Sequence, residues 1–157
     1  RYYVAIGSQA RAGTIDASVE LRPPTPIPPN DRCSGAIVLT DGASRRDTTV
    51  GFADDERGGS CAGFSQPDAF YTFTLATRQR IVASVTDGDG GTTRFALTLR
   101  EGCGGPEVQC ATASGFPAPS SATIARNLDP GTYVLMVETD TSDTSDFFID
   151  FSVRPAI

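Results

Sequence analysis

The chain has 157 residues, a formal net charge of −6 and no histidine, tryptophan or lysine, so all thirteen basic residues are arginine. The negative balance argues against nucleic acid or anionic membrane as a partner. The missing histidine removes the commonest general base and transition-metal ligand, so Ser-His-Asp and Cys-His triads cannot be built.

In chain order, residues 1–22 read as a hairpin, with strands at 2–6 and 14–21 joined by a loop over 7–13. Ile15, Ala17, Val19 and Leu21 alternate with Asp16, Ser18, Glu20 and Arg22, giving one apolar face that needs a cover. A lone two-stranded hairpin is marginal in water. Residues 23–29, with five prolines in seven positions, predict an extended, semi-rigid spacer.

The second module spans 30–157. Short strands are expected at 36–39 and 48–52, on either side of a polar stretch at 41–47, followed by a charged loop at 54–60. Residues 69–75 place Tyr71, Phe73 and Leu75 on one face and two threonines on the other. Ile81, Ala83 and Val85 repeat the alternation before a turn at 87–91. Phe95, Leu97 and Leu99 line the next strand, and a corner at 103–110 and a Pro/Ser loop near Phe116 follow. Strands at 122–128, 132–137 and 147–153 close the chain around the Asp129-Pro130-Gly131 turn and a polar loop at 140–146. About eight short strands with regular turns predict an all-β, antiparallel β-sandwich of jelly-roll type. No apolar run approaches the roughly 20 residues needed to cross a bilayer, so membrane insertion is not expected.

The two ends look alike. Tyr3-Val4-Ala5-Ile6 returns as Tyr133-Val134-Leu135-Met136, and Val19-Glu20-Leu21-Arg22-Pro23 as Phe151-Ser152-Val153-Arg154-Pro155, with two residues' difference in the loop between. Such self-similarity suggests a tandem array, with the chain beginning inside the last hairpin of one repeat and ending with the last hairpin of the next. Tyr3, Ile15, Val19 and Leu21 are then the expected contacts between units.

Cys33, Cys61, Cys103 and Cys110 allow three disulfide pairings. The turn-forming Gly104-Gly105-Pro106 makes Cys103–Cys110 the expected local bridge and leaves Cys33 with Cys61. The intervals lack the paired C-x₂-C spacing of a Cys₄ zinc site. Disulfides imply an oxidising compartment, and with Arg1 rather than a leader in view, an extracellular or cell-surface location is inferred from the cysteines alone.

Asn30-Asp31 at the module's start, Asp68-Ala69-Phe70-Tyr71-Thr72-Phe73 and Leu128-Asp129-Pro130-Gly131-Thr132-Tyr133, in that order, resemble the bacterial pre-peptidase C-terminal domain family over residues 30–155. The resemblance implies a non-catalytic β-sandwich accessory module of secreted proteins. Some relatives in collagenases bind calcium near the domain start and grip collagen with a sandwich face. Calcium is thus the one cofactor implied, with Asn30, Asp31 and Asp68 at the corresponding positions, although Pro28 and Pro29 stand where acidic ligands would precede them.

Asp54-Asp55-Glu56 and the pair Asp87 and Asp89 lack the EF-hand order of ligands and read as solvated turns. No catalytic constellation is expected. The primary reading is a structural or adhesive module of a secreted tandem-repeat protein, whose partners are neighbouring repeats or identical subunits, with assembly into a fibre. The alternative is a domain that targets a secreted hydrolase to an extracellular polymer such as polysaccharide or collagen.

Overall fold

The computed structural model describes residues 3, 16, 18–21, 26–56, 59–61, 66–91, 93–113, 118–139 and 146–157. Most of the expected N-terminal hairpin, Ile15 included, lies outside the described residues, as do Phe116 and residues 140–145 of the polar loop.

Alternating apolar residues form seven strands where the sequence predicts them, and among the described residues two further strands form where it does not. The nine are β1 (Ile37–Val38), β2 (Ala43–Thr48), β3 (Asp68–Leu75), β4 (Gln79–Asp87), β5 (Phe95–Arg100), β6 (Glu107–Thr112), β7 (Ser121–Leu128), β8 (Gly131–Thr139) and β9 (Asp146–Pro155). They make a five-stranded sheet ordered β1-β3-β8-β5-β6 and a four-stranded sheet ordered β2-β9-β4-β7. All neighbours run antiparallel except β1 and β3. The chain changes sheet at nearly every connection, as a jelly roll does. Among the described residues no helix is long and apolar enough to cross a membrane.

The inner faces carry the side chains that the alternation points inward. Tyr71, Phe73, Ile81, Val85, Phe95 and Leu97 join Phe147, Ile149 and Phe151 in one core. Phe73 stacks on Tyr133 at 5.5 Å, and Phe147 meets both Tyr71 and Phe95. The Tyr71 hydroxyl crosses the core to donate 2.7 Å to Asp47 Oδ2 on β2, and burial, then the Asp47 charge, push its ionisation up. Replacing Tyr71 with Phe leaves Asp47 the Thr48 amide at 3.0 Å and the Arg45 contact at 3.3 Å, without the hydroxyl donor from the core. An expected loss of about 1–3 kcal/mol would be read by urea unfolding.

Three expectations are corrected here. Residues 48–52 form no strand of their own: Thr48 ends β2, the polar stretch before them, and the Phe52 amide bonds the Thr49 carbonyl in a turn. Residues 107–112, expected as part of a corner, form β6. The C-terminal pair is not a hairpin, because β8 lies between β3 and β5 in one sheet while β9 lies between β2 and β4 in the other.

The sheets differ on their outer faces, and this positions the site. In the four-stranded sheet burial alternates along β4, β7 and β9, so one face is solvated. In the five-stranded sheet β5 is buried at every position from Phe95 to Leu99 and β8 from Tyr133 to Thr139. Something covers its outer face. The cover is the pair of 3₁₀ turns Pro29–Asp31 and Cys33–Gly35, together with residues 53–56 and 59–61.

Candidate metal centre

On that covered face β3 and β8 present a row of apolar side chains, Phe70, Val134 and Met136, packed by Cys33 and Ala36 of the 3₁₀ segment. The antiparallel register sets Phe70 against Met136 and, one pair further, Asp68 against Glu138. The row therefore ends in two facing carboxylates, both 0% exposed. Asp68 Oδ2 accepts the Glu56 and Asp55 amides at 2.9 and 3.2 Å, while its Oδ1 and both Glu138 oxygens have no hydrogen-bond partner. Burial pushes Asp68 up to about 7 against the pull of those two amides. Burial, then the charges of Asp68 and Asp54, push Glu138 up to about 8.

Asp31 reaches the same region through the peptide of Ala53. Its amide donates 2.5 Å to Asp31 Oδ1 and its carbonyl accepts the Asp68 amide at 3.1 Å. Asn30 is also buried, with Nδ2 unpartnered. Close approach at Gly35 makes this turn possible, since a Cβ there would run into the Pro29 carbonyl. Arg100 closes the far end by donating 3.0 Å to Glu56. Beside Phe70 a hollow of about 240 Å³ is lined by Arg32, Ser34, Asp55 and Glu56.

Two disulfides fasten this cover, in a pairing that differs from the expected one. Cys33 bonds Cys103, tying the turn that carries Asn30 and Asp31 to the β5–β6 corner, and Cys61 bonds Cys110, tying the stretch that carries Asp54 and Glu56 to β6. The local Cys103–Cys110 bridge fails on register. Cys110 pairs with Thr98, three residues along β6 from Glu107, so roughly 10 Å of strand separates it from the turn that holds Cys103. A disulfide spans only about 4.4–6.8 Å between Cα atoms. The turn is already closed by the Glu101 amide on the Pro106 carbonyl. With all four cysteines in disulfides, none is available to a metal.

The remaining candidates have structural duties. Asp87 is buried and accepts the amides of Asp89 and Thr93, holding its turn, and Arg46 bridges Asp89 and Asp146. Tyr3, Val19 and Leu21 are exposed.

No family model matches the chain, and no curated protein matches it in sequence. Among solved structures, the pre-peptidase C-terminal domain of a Bacillus anthracis collagenase superposes with a TM-score of 0.51 at 17% identity, over 76% of this chain and 94% of that one. The fold is that of a pre-peptidase C-terminal domain. Weaker likenesses include PliG, a periplasmic lysozyme inhibitor of Aeromonas hydrophila (TM-score 0.46, 8% identity, 76% and 96% covered), and a carbohydrate-binding module of Cellvibrio mixtus lichenase 5A (0.36, 14%, 69% and 86%). The resemblance expected from residues 30–155 is thus met at the level of fold.

Calcium takes six to eight oxygens. Asp68 and Glu138 offer three unpartnered ones, and among the described residues no three acidic or cysteine side chains converge on one point. The pair alone does not make a calcium shell, but two sealed, facing carboxylates require either protons or a counter-ion, and a hard cation completed by further oxygens would serve. Asp68 and Glu138 would hold it, with Asn30 and Asp31 on the adjoining turn, and its charge would let both carboxylates ionise. Glu138 was absent from the sequence-based set; its one signal is an acidic residue continuing the outward row of Val134 and Met136.

Proposed function

We propose that this chain is a non-catalytic structural or adhesive module of an extracellular tandem-repeat protein, its loops fixed by disulfides and its acidic centre loaded with calcium. One observation carries the non-catalytic part. The carboxylates with strongly raised pKa values, Asp68 and Glu138, are sealed beneath a disulfide-fastened cover at 0% exposure. A catalytic acid has to touch its substrate, and both carboxylates lie beneath a cover that Asp68 holds through the Asp55 and Glu56 amides. The disulfides, closing 70 and 49 residues, suit an oxidising compartment. Neighbouring repeats are the partners this reading requires, and a fibre is the assembly to which contacts between repeats lead.

A second reading has its own observation. The solvated face of the four-stranded sheet holds a shallow trough of about 220 Å³ lined by Ser44, Val82, Ser84, Asp150 and Ser152. Beside it Phe148 is 39% exposed, with the Arg46 guanidinium 6.0 Å above its ring. That surface suits an extended polymer, as in a domain that brings a hydrolase to polysaccharide or collagen. Pull-down of the purified chain on collagen, chitin and cellulose separates the readings. Retention on none supports the structural module; retention on one, lost in Phe148→Ala, supports the targeting domain.

A further inference from the structure

The solvated face of the four-stranded sheet is graded along its strands. The register sets its outward residues in rows, with Asn127, Arg80 and Arg154 at one end and Thr86, Phe148 and Arg46 towards the other. Between them Ser84, Asp150 and Ser44 stand directly across from one another, and Val82 and Ser152 lie one row nearer the arginines. Six positions of β9 separate Phe148 from Arg154, a run of roughly 20 Å.

The two ends treat charge differently. At the Phe148 end, Arg46 is taken up by Asp146 at 2.6 Å and Asp89 at 3.4 Å. At the other, Arg80 and Arg154 are direct cross-strand partners, a placement that sets Cβ atoms only about 4.5–5.5 Å apart and makes like charges repel. Among the described residues neither has an acidic partner, in a chain with 19 acidic residues to 13 arginines. Asp41, which reaches β9 one residue before Arg154, accepts the Val153 amide at 2.7 Å instead. Asp150 is four positions along β9 from Arg154, roughly 14 Å away. Two opposed guanidiniums without a counter-ion make a seat for an oxyanion, which their planar forks can grip through paired hydrogen bonds.

We infer that this face binds an anionic polysaccharide, with a carboxylate or sulfate of the polymer seated between Arg80 and Arg154 and its hydroxyls on the serine-lined floor. The inference rests on the second reading of this face as a polymer-binding surface, and it names a class that neutral chitin and cellulose do not represent. Ser44, Ser84 and Ser152 line the trough as donors and acceptors, and Asp150 as an acceptor, which complements sugar hydroxyls. Phe148 adds a half-open aromatic ring at the far end. A protein partner would find little here of the apolar centre that protein interfaces use. The net charge of −6 turns a polyanion away from the rest of the surface, so attraction is confined to the unpaired arginines.

Native electrophoresis of the 157-residue chain through gels containing alginate, dextran sulfate or neutral dextran tests this. The expected result is retardation by an anionic polymer at least about 10-fold stronger than by dextran, weakening as salt is added. Alginate alone assigns a carboxylate, dextran sulfate alone a sulfate ester, and both together the shared oxyanion chemistry. Arg154→Gln should cut the retardation by about 10-fold, the loss of a charge-assisted hydrogen bond. Arg126→Gln, the same charge removed from the β7 position paired with inward-facing Ile81, should leave it unchanged. No retardation by either anionic polymer, or equal losses in the two variants, would overturn the inference. Retardation by neutral dextran that Phe148→Ala abolishes and Arg154→Gln does not would overturn it too, while keeping the targeting reading. If no polymer is retained, chitin, cellulose and collagen included, the targeting reading falls as well.

Discussion

Replacing Cys33 and Cys103 together with serine is expected to cost the sandwich about 2–5 kcal/mol, read as a lower urea midpoint. The bridge closes 70 residues and the Cys61–Cys110 bridge 49. Loop-closure entropy separates the two by only about 0.3 kcal/mol, so removing either should cost a similar amount. Their local effects should differ. Without Cys33–Cys103 the turn holding Asn30 and Asp31 loses its tie to the β5–β6 corner, whereas without Cys61–Cys110 the stretch holding Asp54 and Glu56 is released from β6. Cleavage at Glu107 under non-reducing conditions checks the pairing, since it separates Cys103 from Cys110. A peptide containing Cys33 should remain joined to the one containing Cys103; a Cys103–Cys110 link would contradict the structure.

With chelator present, stability should fall as pH rises from 5 to 8, against the usual behaviour of paired carboxylates. Asp68 at about 7 and Glu138 at about 8 bind their protons more tightly folded than unfolded, where such groups titrate near 4. The folded state therefore holds more protons across this window. The stabilisation is fully present below the unfolded pKa and drains as pH climbs through the folded values. For Asp68 alone the loss is on the order of 4 kcal/mol. Because the Asp68 charge is one reason Glu138 is raised, the two do not titrate independently. Glu138→Gln, neutral at every pH, should flatten the slope and raise stability at pH 8. Thermal melts at pH 5, 6, 7 and 8 in both proteins provide the comparison. A wild-type midpoint that rises over this range would refute the placement of these two groups.

The interior strands were legible because burial writes itself into the sequence. β3, β4 and β9 each alternate apolar with polar residues, and their inward side chains form the core. The missed strands are edges. β2 reads Ala-Ser-Arg-Arg-Asp-Thr, and its inward positions Arg45 and Asp47 pair with each other at the sandwich rim, so no apolar period marks it. β6 is the other edge, read as a corner because its glycine-rich approach and two cysteines suggested a local bridge. The disulfide error and the missed strand have one cause: a β6 that runs on from Glu107 carries Cys110 away from Cys103.

Of the centre, Asn30, Asp31 and Asp68 were found through family resemblance, and the structure brings Asp31 and Asp68 to the same peptide of Ala53. Glu138 was not found, since its role depends on register. Only when Phe70 is set against Met136 does Asp68 meet Glu138, and neither sequence segment contains that information alone. The last two strands show the same limit from the other side. A chain reversal reads as a hairpin until the sheets show that β8 and β9 part company.

Calcium titration of the oxidised chain at pH 8, followed by isothermal calorimetry beside an Asp68→Asn/Glu138→Gln variant, bears most directly on the acidic centre. One ion should bind per chain with release of protons, the melting temperature should rise, and the double variant should show neither effect. Absence of binding heat at millimolar calcium, or equal binding by the variant, would contradict the assignment of this centre.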